Sequence, residues 1–146
     1  MNRRRRKKLA ARLVHGATFG NADAVRAVLR AGADPDGADV HGTTPLYAAS
    51  VHGAADIVQC LLEAGARPDL ESRAETDGTP LCAAAAWGYA EVVRLLLAHG
   101  ADPDLREDDG LGRSPLEWAR AGGHAVTARL LLAAGARDPE AERPPR

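Results

Sequence analysis

Apolar positions along the chain fall into short helical runs that return at a fixed spacing. IVQCLLEAG closes on Gly65, VVRLLLAHG on Gly100 and ARLLLAAG on Gly135, each 35 residues after the last, and an earlier version, AVRAVLRAG, closes on Gly32. In the clearest of them Ile57, Val58, Leu61 and Leu62 share one face, the pattern of an amphipathic helix, and the closing glycine reads as its C-terminal cap. A second phrase precedes three of these runs: TPLYAAS at Thr44 to Ser50, TPLCAAA at Thr79 to Ala85 and SPLEWAR at Ser114 to Arg120, again 35 apart. Here Thr44 and Pro45 predict a helix start, because the hydroxyl accepts from an early unpaired amide and proline is tolerated in the first turn. Small side chains at Ala48 and Ala49 suit close helix contact. Gly53, Gly88 and Gly123 supply the turn between the two helices.

Such a unit cannot bury its apolar face alone, whereas several stacked side by side can, so the pattern predicts one elongated array. The segments between units, GADPDGADVHG, GARPDLESRAETDG and GADPDLREDDGLG, are Asp, Pro and Gly clusters with turn chemistry. The order helix, turn, helix, protruding loop, with its TPL box, paired glycines and GAD turn in register from about residue 9 to 137, closely resembles the ankyrin repeat. That resemblance implies an all-α repeat solenoid, L-shaped in section, with hairpin fingers along one edge and a concave groove lined by fingers and first helices. Units of about 9–36, 37–69, 70–104 and 105–137 are expected. The first lacks the TPL box and carries Gly16 where later units have alanine, so it reads as a capping repeat. The last two fingers are two residues longer than the first, and TDGTP replaces HGTTP before the third unit's box, which leaves the geometry of Arg73 to Gly78 open.

Charge changes this picture at one end. The formal net charge is −1 over 146 residues, but Arg3, Arg4, Arg5, Arg6, Lys7 and Lys8 supply +6 and leave a mildly acidic body. Residues 1–8 are expected to be a basic, disordered, solvated tail, and 138–146, with Pro139, Pro144 and Pro145, a second loose tail. The basic run could alternatively bind nucleic acid or an acidic membrane surface, or serve nuclear import in a eukaryotic host. The apolar stretch that follows is broken by Arg12, His15 and Gly16, unlike a signal peptide, and no segment reaches the roughly 18 to 20 apolar residues of a membrane span. Two cysteines, Cys60 and Cys82, lie inside helical patterns and form no disulfide framework. A soluble cytoplasmic monomer is expected.

The sequence offers little to catalysis. There is no GxSxG, HExxH, GxGxxG or Walker-type loop. Neither cysteine has metal-ligand spacing, and His15, His41, His52, His99 and His124 fall at unrelated positions. The run DPDLREDDG places Arg106 and Glu107 where a calcium loop needs a ligand and a glycine. No catalytic residue, cofactor or metal is therefore assigned.

Three sets of residues exceed what the scaffold needs. Phe19, His52 and Trp87 recur just before the turn glycine, with Gly122 at the same phase in the last unit, bordered by Thr18, Val51 and Ala86. The resemblance places this position on the groove, where large rings make binding hot spots, although the rings could instead fold over the finger bases as packing. Trp118 stands where the family has a core leucine and is assigned to the core. Finger residues form the second set: Val40, His41 and Thr43, then Glu75 and Thr76, then Leu111 and Arg113, with Glu107, Asp108 and Asp109 making the last finger acidic. The basic run is the third. The expected function is a non-catalytic protein-interaction module, an adaptor or regulatory binding protein, with an enzyme's accessory inhibitor or chaperone subunit as the alternative.

Overall fold

A computed structural model covers residues 1–146. Eight α-helices follow one another: α1 Arg3–Thr18, α2 Ala22–Arg30, α3 Pro45–Val51, α4 Ala55–Glu63, α5 Pro80–Trp87, α6 Ala90–Ala98, α7 Pro115–Ala121 and α8 Ala125–Ala133. No strand forms; a single 3-10 turn, Asp108–Gly110, sits at the tip of the last finger. The first helices stack in the order α1, α3, α5, α7 and the second helices in the order α2, α4, α6, α8, giving two layers with each pair joined as a hairpin.

The helix starts have the chemistry their sequence carries. Thr44, Thr79 and Ser114 each accept a hydrogen bond from the backbone three residues on, at Tyr47, Cys82 and Glu117, with proline in the first turn each time. At α7 the Glu117 carboxylate also accepts from the Ser114 amide (3.1 Å), closing a capping box. Leu13, Val25, Ile57, Val58, Leu61, Leu81, Val92, Val93, Leu96, Leu116 and Leu131 are fully buried in one continuous core between the layers. Each such side chain contributes on the order of 2 kcal/mol by leaving water. Successive repeats interlock at the hairpin turns. Gly53 takes φ 69°, and Tyr89 of the next repeat lies against it so closely that an added Cβ would meet the ring at 2.8 Å.

The repeated PD turn is a second interlock. Asp36 accepts from the Arg67 amide (3.0 Å), Asp69 from that of Asp102 (3.0 Å) and Asp104 from that of Arg137 (2.8 Å). Each of these aspartates therefore holds the same backbone position of the repeat that follows. Burial raises the Asp69 pKa above its ordinary value, with the hydrogen bond from the Asp102 amide opposing.

Both ends depart from the disordered tails expected of them. The basic run is the first two turns of α1, because Asn2 caps the helix by accepting from the Arg5 amide (2.9 Å) and arginine and lysine are good helix formers. At the other end Asp138 receives a bidentate hydrogen bond from Arg120 of α7 (2.7 and 2.9 Å), and Arg137 reaches Glu142 (3.4 Å), which together hold residues 137–142 as a turn against the last repeat. No helix of the chain is long and apolar enough to cross a membrane.

Candidate functional site

The fingers are short backbone hairpins whose bases close through main-chain bonds. Asp39 donates to the Thr43 carbonyl (3.0 Å), Ser72 to that of Gly78 (2.9 Å) and Glu107 to that of Arg113 (3.3 Å). Neighbouring fingers are tied together as well. The Arg73 amide donates to the Gly42 carbonyl (3.0 Å), and its guanidinium binds both oxygens of Asp109 (3.0 and 3.2 Å). The extra length of the third finger forms its tip, where Asp108 and Asp109 take φ of 52° and 51°, and Glu71 accepts from the Asp108 amide (2.6 Å). Arg106 anchors this finger to α7, pairing with Glu117 (2.8 Å) and donating to the Gly112 carbonyl (3.0 Å). The Glu117 carboxyl is held below its ordinary range, first by the Arg106 hydrogen bond.

A cleft of about 500 Å³ opens where these finger bases meet α3, α5 and α7. Tyr47, Val51, Ala86, Trp87 and Trp118 supply its apolar walls, and Thr76, Glu107 and Arg113 its polar rim. Trp87 is 61% exposed although it ends a rigid helix. Trp118 rests one side on the core and is half-buried, its indole N–H donating to the Glu107 carboxylate (2.8 Å). The Arg113 guanidinium lies over the Trp118 ring, 4.8 Å from its centre. The other Glu107 oxygen lies against Gly78. Burial, together with the charges of Glu71 and Asp108, raises the Glu107 pKa above its ordinary value, with the Trp118 hydrogen bond and Arg113 opposing.

Two further groups line the cleft. Burial, aided by Asp77 and Glu107, pushes the Tyr47 phenol up to about 12. Burial likewise pushes the Cys82 thiol up to about 12, and its sulfur faces the carbonyls of Leu105 and Arg113 (3.7 and 3.6 Å). A thiol held protonated and packed in this way is no nucleophile.

Five of the residues singled out from the sequence, Val51, Thr76, Ala86, Trp87 and Arg113, converge on this cleft. Others lie elsewhere. Phe19, 72% exposed, packs at a tilt against His15 (centroids 4.6 Å) beside Ala24 and Val28, in a separate depression formed by the first repeat. His52 is exposed at the end of α3, and Val40 (82% exposed), His41, Glu75 and Leu111 (87%) stand out on the fingers. Thr43 is turned inward, its hydroxyl donating to Asp77 (2.9 Å). Gly122 lines the cleft at the phase of Trp87. A side chain there would collide with the His124 ring, whose Nε2 bonds the Ala86 carbonyl (3.0 Å).

Sequence reasoning missed Tyr47 and Glu107 as wall and rim, and placed Trp118 wholly in the core. The signal for Trp118 was its own nitrogen. A buried indole needs an acceptor, and here a half-buried acid of the finger supplies it.

A family model for ankyrin repeats, in three copies, matches the chain over residues 10–72 and 68–142. No curated protein sequence matches it.

Proposed function

The chain belongs to the ankyrin-repeat family, and from that premise we propose that it is a non-catalytic binding protein that holds a partner protein in the cleft between its fingers and first helices. Ankyrin repeats are in general protein-interaction modules. The observation that carries the reading here is Trp87, a large ring left 61% exposed on a rigid helix at the mouth of a 500 Å³ cleft. Its ring lies outside the hydrophobic core. Large aromatic side chains in preformed depressions are what binding hot spots use, and a scaffold whose fingers are cross-linked by hydrogen bonds loses little freedom on association. The neighbouring finger tips, with Val40, Glu75 and Leu111 exposed, extend the surface toward the roughly 800 Å² per partner of a standard interface.

The test is affinity capture from host lysate with the intact chain, Trp87→Ala, and Gln59→Ala on the exposed face of α4 as a control. Trp87→Ala is expected to lose its captured partner by about tenfold or more, with circular dichroism unchanged, while Gln59→Ala retains it. Equal capture by all three would show that the cleft is not the working surface.

A further inference from the structure

The acid surplus of the body lies on the finger edge. Residues 34–43 hold three acids and no Lys or Arg, residues 67–78 four acids and two bases, and residues 101–113 five acids and two bases. Many of these charges are committed: Asp36, Asp69 and Asp104 hold neighbouring backbone, Asp109 pairs with Arg73, and Glu71 caps the third finger's tip. Two carboxylates near the cleft form no ion pair, although Arg113 acts on Glu107 from across the cleft. Asp77 accepts only the Thr43 and Ser72 hydroxyls (2.9 and 2.7 Å), and Glu107 only the Trp118 indole. Neither lies within ion-pair distance of a lysine or arginine.

The chemistry of the walls narrows what could sit against these acids. An aliphatic side chain would bury Glu107 further with no compensating charge, which is costly. An anionic one would meet the surplus on all three fingers. A cation gains twice, from a carboxylate that forms no ion pair and from the ring faces, which attract positive charge within about 6 Å. The Trp118 face already carries a guanidinium, that of Arg113, at 4.8 Å. No cation covers Trp87.

We propose that the cleft receives an arginine or lysine side chain from a basic segment of the partner protein, its charged head against Glu107 and its stem across Trp87. This rests on the cleft being the binding surface and names the chemistry it selects. Glu107 is the specificity-determining residue. Arg113 opposes it, because it shares the cleft and repels an incoming cation.

The chain's only two tryptophans both line the cleft, so intrinsic fluorescence reports occupancy directly. The probes are capped hexa-arginine and hexa-glutamate peptides, titrated into the full chain at low salt and at high salt. Hexa-arginine is expected to change the emission and to bind more weakly as salt screens the contact, whereas hexa-glutamate leaves it unchanged. Glu107→Gln keeps an acceptor for the Trp118 indole and should bind hexa-arginine about tenfold more weakly, the loss of one charge-assisted contact. Arg113→Gln should bind it several-fold more tightly, a gain that damage to the fold could not produce. Equal binding by Glu107→Gln and wild type, binding of hexa-glutamate instead, or no response to either peptide would overturn the proposal. So would a concentration-dependent dimer in sedimentation that Glu107→Gln dissolves, since the occupant would then be α1 of a second copy. If Trp87→Ala loses the captured partner while Glu107→Gln keeps it, the cleft stands as the binding surface and the cation assignment falls.

Discussion

Ser50 shows how a single atom can be out of step with its surroundings. It occupies the place in α3 that Ala85 holds in α5, is completely buried, and its hydroxyl finds no hydrogen-bond partner. A buried unpaired hydroxyl costs free energy that an apolar group of similar shape does not. Ser50→Ala is therefore expected to raise stability by about 1 kcal/mol, read as a higher urea midpoint with an unchanged slope; a lowered midpoint would mean the hydroxyl is satisfied after all. The two tryptophans differ from one another as well. Position within the repeat sends both toward the groove or the core, but which one remains exposed is decided by contact with another element. Trp118 is fixed by Glu107, eleven residues earlier on a different element (2.8 Å), and Trp87 has no such acceptor. Gly122 likewise breaks the aromatic phase because His124 fills the space. Neither effect is written in the spacing.

At the level of elements, the boxes, proline starts and glycine turns were fully legible, because each depends on chemistry within three or four residues. The ends were not. The cationic run reads as a solvated tail by charge, yet Asn2 supplies a cap and the run continues a buried amphipathic helix, so α1 begins at Arg3. The C-terminal stretch reads as loose from its prolines, yet Arg120 reaches out of α7 to hold Asp138. That pairing has a pH signature. The Arg120 hydrogen bonds hold the Asp138 carboxyl well below its ordinary range, with burial opposing. A carboxyl depressed in the folded state binds fewer protons there than in the unfolded chain. Its contribution is complete above the unfolded value near pH ~4 and is lost as pH falls below it. Asp138→Asn should therefore lose less stability than wild type between pH ~5 and ~2, measured by urea midpoints across that range. Parallel curves would show that the turn is not held by this pair.

Taken as a whole, the molecule is polar in two senses. One layer of helices is scaffold, while the other, with the fingers, carries the exposed ring and two acids that form no ion pair. The cations of α1 stand at the first repeat, whereas the cleft lies among the later ones. The repeat explains the stack, and the departures from it, at Trp87, Trp118, Glu107 and Arg113, assemble the one cleft where indole rings, an unpaired carboxylate and a guanidinium meet. The partner's proposed seat is this face, and not the outer layer. A photoreactive phenylalanine analogue placed at Trp87, or at exposed Arg94 on α6, and irradiated in host lysate tests it most directly. A discrete adduct is expected from position 87 that position 94 does not give. The same adducts from both positions, or an adduct from position 94 alone, would contradict it.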